Sequence, residues 1–349
     1  MSDRLNDDVL VMILDELAAP AHTLGKYRAR QATLRNVCLS SRRLCSLAQP
    51  RLWRQVTIRS RGQLQLVAAA APCTLGRHTM YLTIVTSRTL SGGVSDAVAC
   101  LSSVLPEVVE IRIGSLPHLD FALLSQYRKL RRLHVDRTKL LKGPCATFPA
   151  LEELCLHLVF TTSAWVQQQL RAAHLPRLRE LHFIPHSGTI RLDKVVSPAF
   201  LGQLDVLQTD ILSLPVHCEL AQDARSPVVV LHPESGPSQP LPFHTLCDRS
   251  LFPYLEATKD ILSFLAQGLR LTPPAPSSTT PPRLLIIQVA RRSIDMRPSV
   301  ERRLRIVEAL CVQKGVRLLW DDEELYGERF SPAFSRYARE LRAARGLER

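Results

Sequence analysis

The chain begins with a short amphipathic pattern. Its apolar positions recur at the three- and four-residue spacing of an α-helix: Val9, Leu10, Ile13, Leu14 and Leu17. Asn6 precedes them as a candidate N-cap, and Asp7 and Asp8 complement the positive end of the helix dipole. The pattern therefore predicts a helix with one apolar face, which must pack against this chain or against another protein.

Two further short helices are predicted before residue 55. The first covers Ala29–Cys38, after a polar segment with Gly25 as a breaker, and the second covers Arg42–Ala48 and ends before Pro50. Three short helices in about 50 residues bury too little surface to be stable alone. Their apolar face is expected to dock either on the rest of the chain or on a partner.

A different pattern follows Trp53, with the spacing apolar-x-x-apolar-x-apolar. Its clear copies are Val108/Ile111/Ile113, Leu130/Leu133/Val135, Leu151/Leu154/Leu156 and Leu178/Leu181/Phe183. Weaker copies are Trp53/Val56/Ile58, Thr79/Leu82/Ile84, Leu201/Leu204/Val206 and Leu284/Ile287/Val289. The clear copies start 22, 21 and 27 residues apart, within the period of leucine-rich repeats, about 20–29 residues. An irregular solenoid of parallel strands is predicted; an α/β domain with unrelated strands is the alternative.

The turn after each triplet departs from a strict leucine-rich repeat. Such a repeat places Asn or Cys there to bond the turn backbone, whereas this chain has Leu116, Thr138, Val159 and His186. The repeats are therefore expected to be irregular.

Strand alternation assigns a second row of side chains to the opposite, concave face of these strands. The row is Glu110, Arg112, Arg132, His134, Asp136, Glu153, Cys155, His157, Glu180 and His182. All but Glu110 and Cys155 are taken as candidate substrate-binding residues, because a mixed polar row suits contact with a protein surface. Neighbouring strands lie about 4.8 Å apart and no fixed ligand geometry is evident, so neither a metal nor a cofactor is expected.

The segments after Leu207 are less regular. Pro-rich loops are predicted near 232–242 and 272–282, then a helix at Val300–Gln313 and a strand at Val316–Trp320. The Arg-rich segment Ser331–Gly346 is expected to form a helical cap at the end of the repeats.

Composition narrows the functional class. The 349 residues carry a net charge of +13, but their arginines are dispersed rather than arranged in a stripe, so nucleic-acid binding is not favoured. The nine cysteines are scattered and none is spaced as C-x-x-C, which favours reduced thiols in the cytoplasm or nucleus. A span of about 18 apolar residues, which a membrane helix needs, is absent from the sequence. Phosphate-loop, dinucleotide-binding, nucleophile-elbow and zinc-protease motifs are also absent, so an enzyme is not expected.

The N-terminal segment resembles an F-box. The resemblance is carried by Leu5–Leu17, by Leu34-Arg35-Asn36-Val37-Cys38, by Ser41-Arg42-Arg43-Leu44 and by the continuation to Leu52-Trp53, which is similar to many fungal F-box proteins with leucine-rich repeats. Asn6 and Leu44 stand where the usual pattern has proline and a large aromatic residue. The resemblance implies binding to the Skp-type adaptor of a cullin–RING ubiquitin ligase. The implied contact residues are Leu5, Val9, Ile13, Leu14, Leu17, Leu34, Leu39, Leu44 and Leu47.

These patterns together predict an α/β protein with two parts: an F-box-like helical module at 1–55 and an irregular leucine-rich-repeat solenoid at 56–349. The implied function is that of a substrate receptor, which binds the adaptor with its first part and an unknown protein substrate with its second. The alternative is a scaffold protein whose N-terminal helices cap its own repeats.

Overall fold

The computed structural model describes residues 6–19, 24–70, 75–85, 98, 101–186, 190–204, 206–210, 228–232, 251–256, 262–263, 266–267, 269–270, 283–288, 298–314 and 316–321. The chain divides into two compact units, Met1–Leu178 with Pro185–Gly188, and Arg179–Ile184 with Thr189–Arg349. The N-terminal helices thus share a unit with the strands that follow them to residue 178. A separate domain at 1–55 stays a prediction.

Three α-helices open the first unit: α1 (Asp7–Leu17), α2 (Leu24–Ser40) and α3 (Arg42–Leu52). The Asn6 side chain accepts a hydrogen bond from the backbone N–H of Asp8, as its position before the amphipathic pattern predicts. Ser41 alone separates α2 from α3, and its hydroxyl accepts from the N–H of Leu44 at 3.1 Å. All three helices were predicted from the sequence, but two of them have different bounds from those predicted.

The second and third helices are longer than predicted. Gly25 lies in the first turn of α2, where backbone N–H groups have no partner within the helix, so a glycine there disrupts little. Pro50 lies inside α3 rather than beyond its end. Only Arg51 and Leu52 follow it, so the missing N–H removes one hydrogen bond from the final turn. Both residues were predicted to lie outside the helices. Near a helix end, however, a glycine or a proline destabilises the helix less than it does in the middle.

Five parallel strands follow in the first unit: β1 (Gln55–Ile58), β2 (Tyr81–Val85), β3 (Glu110–Gly114), β4 (Arg132–Asp136) and β5 (Glu153–Val159). Each pairs with the next along the chain, and the register places one triplet beside another. Ile111, Leu133 and Leu154, for example, form one row across β3, β4 and β5. Helices and short 3-10 turns connect them: α4 (Arg61–Ala70), Leu75–His78, Phe121–Gln126 and the helix Ser163–Gln169 that follows β5.

The apolar triplets form the core of this unit, as alternation predicted. Both strand positions of each clear copy in β3, β4 and β5 are buried, and so is the first residue of each triplet. Phe121 extends this core by edge-to-face contacts with Phe148 and Trp165, at centroid distances of 5.1 and 5.2 Å. Gln169, also buried, bonds both backbone groups of Ala146 and so fixes the incoming loop to the helix.

A left-handed backbone conformation recurs just after β3, just after β4 and near the end of β5. Ser115, Arg137 and Leu158 occupy equivalent positions, and all three have a positive φ, at 58°, 46° and 49°. Beyond them, the buried Thr138 accepts from the N–H of Leu116 and donates to the carbonyl of Asp136. Thr138 therefore bonds the turn backbone, the role expected of Asn or Cys in a strict repeat.

Among the residues of the second unit that the structure describes, six parallel strands are also paired in chain order: β6 (Glu180–Pro185), β7 (Val206–Asp210), β8 (Val228–His232), β9 (Leu251–Glu256), β10 (Arg283–Gln288) and β11 (Val316–Asp321). The helices of this unit include Leu192–Val195, Pro198–Gln203 and Pro298–Lys314. The predicted helix at Val300–Gln313 and strand at Val316–Trp320 are confirmed. The loops at 233–242 and 272–282 and the cap at Ser331–Gly346 lie outside the described residues.

One predicted triplet, Leu201/Leu204/Val206, is out of phase. Leu207 and Thr209 of β7 pair with Leu181 and Phe183 of β6, so the triplet in phase starts three residues later, at Leu204. The apolar residue Leu201 belongs instead to the buried face of the helix Pro198–Gln203.

Alternating helices and parallel strands confirm the predicted α/β class. Within the described part of the chain, no helix combines the length and the apolar character needed to cross a membrane.

Candidate interaction surfaces

Two of the four acidic residues of α1, Asp7 and Asp15, pair with arginines of α3. Asp15 accepts two hydrogen bonds from Arg51 of α3, at 3.0 and 2.9 Å, and Asp7 pairs with Arg43 at 2.6 Å. Its buried residue Leu14 joins Ala18, Leu34 and Ala48 in the small core of the three helices. The hydrogen bond from Arg51 lowers the pKa of Asp15, with burial opposing and the charges of Arg51 and Arg54 adding to it. These partly exposed pairs add to the attachment that the buried Leu14 and Ala18 give α1.

Four large apolar side chains of α1 are open to solvent. Val9 is 43% exposed, Met12 71%, Ile13 50% and Leu17 38%. At 100° per residue Val9, Met12 and Ile13 lie at least 100° around the helix from Leu14 and Ala18, and Leu17 lies at the margin, 60° from Leu14. The exposed Glu16 lies between Met12 and Val9. We call the four apolar residues the α1 stripe. A surface helix normally turns its large apolar side chains inward, so four exposed ones are unusual.

The predicted adaptor contacts fall into two groups. Leu39 is exposed, and Leu44 and Leu47 are half-buried, with Leu47 packed against the core of the three helices. Leu14 and Leu34 are buried within that core, so their side chains are not available to a partner. Leu5 lies outside the described residues. Sequence patterning missed Met12, because its apolar face was drawn through Leu10 and Leu14.

A second surface lies on β3, β4 and β5, where the alternate side chains form the predicted polar row. The register arranges them in three rows across the strands: Glu110–Arg132–Glu153, Arg112–His134–Cys155 and Gly114–Asp136–His157. We call the eight non-glycine members of these rows the polar ladder.

Opposite charges face one another across the polar ladder. Glu110 contacts Arg112 on its own strand and Arg132 on β4, the latter at 3.0 Å. His134 lies 3.1 Å from Glu153 of β5, between Nε2 and Oε1. His157 Nδ1 donates to the Asp136 carboxylate, also between β4 and β5. Such cross-strand pairs stabilise neighbouring strands, so part of the ladder serves the fold.

The electrostatics of the ladder follow from its burial. Burial alone raises the pKa of the Glu110 carboxyl, but the charges of Arg112, Arg132 and His134 outweigh it, so the pKa lies below its ordinary value. Burial also raises the pKa of the Cys155 thiol, and the charges of Glu153 and Asp136 raise it further. Glu110 is thus ionised at neutral pH, and Cys155 is a protonated thiol.

The ladder is less open than the sequence suggested. Glu110, Cys155 and His157 are buried, whereas Arg112, His134, Asp136 and Glu153 are partly exposed and Arg132 is exposed. His157 is therefore corrected from a surface contact to a buried hydrogen-bond partner, because Asp136 and the neighbouring strand enclose it. Of the two candidates on β6 in the second unit, His182 is buried and Glu180 is partly exposed, with 4.0 Å between Nε2 and Oε2.

Four residues of β1 and β2 extend the same rows and were not predicted. Gln55 and Tyr81 continue the row of Glu110, and Thr57 and Thr83 continue the row of Arg112. The weaker triplets around them carried the necessary signal, since the same alternation applied to Val56/Ile58 and Leu82/Ile84 identifies these positions.

No family model and no curated protein matches this chain. Its function is therefore inferred from the α1 stripe and the polar ladder.

Proposed function

We propose that this protein is a substrate receptor of a cullin–RING ubiquitin ligase, with an F-box-like module that binds a Skp-type adaptor through the α1 stripe. The single observation that carries the proposal is the exposure of Val9, Met12, Ile13 and Leu17 on one side of α1. It is joined by the sequence resemblance of the module to an F-box.

The energetics of α1 favour a partner. Burial of apolar surface contributes about 25 cal/mol per Å², so covering four half-exposed side chains stabilises a complex by several kcal/mol. Meanwhile Leu14 and Ala18 already hold the helix in the core of the module, and the pairs with arginines of α3 add to this. The stripe is therefore available without any rearrangement of the module.

We propose further that the strands after α3 form an irregular leucine-rich-repeat solenoid, which holds the substrate. Support comes from the one-strand-per-repeat order, the parallel register within each unit and the recurring positive φ after β3 and β4. Ubiquitylation is then accelerated by proximity: the receptor raises the local concentration of the substrate while other subunits carry out the chemistry.

The alternative was a scaffold whose N-terminal helices cap their own repeats. That arrangement requires the apolar side of α1 to be covered by the chain itself. The exposure of Val9 and Ile13 favours the receptor over the scaffold.

The test is co-purification of the full chain with a Skp-type adaptor, for the wild type and an Ile13→Asp/Leu17→Asp variant. The wild type is expected to elute with the adaptor, and the variant to lose it, because two charges in the stripe cannot be buried without a large cost. The matched control is Leu66→Asp/Val312→Asp, which places the same charges at exposed apolar positions of α4 and of the helix Pro298–Lys314.

The control variant is expected to bind as the wild type does. A wild type that folds, as judged by circular dichroism, and yet shows no complex at micromolar concentrations contradicts the proposal. So does equal loss of binding in the control variant, because the effect would then not be specific to α1.

A further inference from the structure

The carboxylates of the polar ladder are already paired within the chain. Glu110 is held between two arginines, Glu153 faces His134, and Asp136 accepts from His157. An incoming basic group would therefore have to displace an existing partner. The ladder offers little to a positively charged ligand.

The arginines at the two ends of β4 have more N–H donors than their contacts with Glu110 and Asp136 use. Arg132 contacts Glu110 through Nη2, and its side chain is 44% exposed. Arg137, directly after β4, lies 3.9 Å from Asp136 and is 57% exposed. A guanidinium carries five N–H donors, so one long or single-nitrogen contact leaves several directed to solvent.

The geometry of β4 separates these two cations by most of a strand. Arg137 follows Arg132 by five residues, which corresponds to about 16 Å in an extended chain. Lys139, whose backbone forms a bridge with Phe160, is exposed and adds a positive charge beyond the strand end. Positive donors thus line β4 at its start, at its end and beyond.

We propose that the polar ladder, together with Arg137 directly after β4, binds an acidic, extended segment of the substrate protein, whose carboxylates pair with Arg132 and Arg137. This inference rests on the proposed function, because it names the chemical class of the substrate that the receptor would hold. Charge complementarity favours an acidic ligand, because the carboxylates of the ladder are paired within the chain and the exposed donors of Arg132 and Arg137 are positively charged.

The test measures fluorescence anisotropy of a labelled twelve-residue peptide of alternating glutamate and serine, titrated with the full chain. A peptide with glutamine in place of glutamate is the ligand control. The glutamate peptide is expected to bind, and to bind more weakly as sodium chloride rises from about 50 to about 300 mM, because exposed charges are screened. An Arg132→Gln/Arg137→Gln variant is expected to bind roughly fivefold to thirtyfold more weakly.

Two further variants separate a direct contact from a general effect. Arg132→Lys/Arg137→Lys keeps both charges and is expected to retain most of the binding. Arg171→Gln/Arg302→Gln removes two exposed arginines elsewhere and is expected to bind as the wild type does. Both β4 variants should still co-purify with the Skp-type adaptor, so failure of this inference is distinguishable from failure of the proposed function.

Three results overturn the proposal. The first is no preference of the folded wild type for the glutamate peptide over the glutamine peptide. The second is equal loss of binding when Arg171 and Arg302 are replaced, which indicates a nonspecific charge effect. The third is tighter binding of a labelled twelve-nucleotide single-stranded RNA that is lost with the same β4 arginines, which assigns the surface to nucleic acid.

Discussion

At the scale of single residues, the structure separates side chains that stabilise the fold from those available to a partner. Glu110 and Arg132 belong to the same row, yet Glu110 is buried and Arg132 is exposed. Alternation along a strand predicts which face a residue lies on, but not how far its neighbours cover it. The row was therefore predictable, whereas the burial of Glu110 and His157 was not, because it depends on cross-strand partners more than 20 residues away in sequence.

Replacing Glu110 with glutamine is expected to lower the free energy of unfolding by about 1–3 kcal/mol at pH 7, because Arg112 and Arg132 lose their common carboxylate. The folded-state pKa of Glu110 is depressed, so its stabilising contribution is present above the ordinary glutamate pKa and is lost as pH falls through the folded value. Urea unfolding at pH 7 and at pH 3 checks this. A difference between wild type and variant that grows at the lower pH contradicts the assignment.

Replacing Thr138 with valine tests the turn after β4. Valine has nearly the same shape but leaves the N–H of Leu116 without its hydroxyl acceptor, so a loss of about 1–3 kcal/mol in unfolding free energy is expected. The control is Thr147→Val at an exposed position, where little change is expected. Equal stabilities of the two variants in urea unfolding would show that the Thr138 hydroxyl has no structural role.

At the scale of elements, the sequence predicted the strands better than the orientation of the helices. Every clear triplet coincides with a strand, because an alternating buried face requires a fixed period. The apolar face of α1 was instead expected to lie in one block. Leu14 instead lies inside the module and Ile13 outside it, because Leu14 packs on Leu34 and Ala48, which are 20 and 34 residues away in the sequence. A local hydrophobic pattern carries no information about such partners.

The repeated positive φ after the strands gives an element-scale prediction at Ser115. An L-residue with a Cβ is strained at φ 58°, so Ser115→Gly is expected to be more stable than Ser115→Ala by about 1 kcal/mol. Both variants lose the hydroxyl, so their difference isolates the backbone. At Ser46, an exposed position within α3, the order should reverse, because glycine weakens a helix interior. Thermal unfolding of the four variants decides; alanine more stable than glycine at Ser115 contradicts the backbone assignment.

At the scale of the whole molecule, a helix with exposed apolar residues near the N-terminus is followed by parallel strands with a polar row. The sequence predicted the polar row and the α/β class, and left open whether the apolar face of α1 packs on this chain or on a partner. It did not predict the phase of β7, because the helix before that strand supplied a competing leucine, Leu201. A leucine in a connecting helix can lie at the spacing expected of a strand leucine. Where that happens, the sequence alone does not show which of the two leucines belongs to the repeat.

The central claim is that the α1 stripe binds the adaptor. Amide hydrogen exchange of the full chain, with and without a saturating Skp-type adaptor, tests it most directly. We expect the amides of Asp7–Leu17 to exchange at least about tenfold more slowly in the complex, because docking adds stability to an otherwise lightly packed helix. Unchanged exchange across Asp7–Leu17, with or without protection elsewhere in the chain, would contradict it.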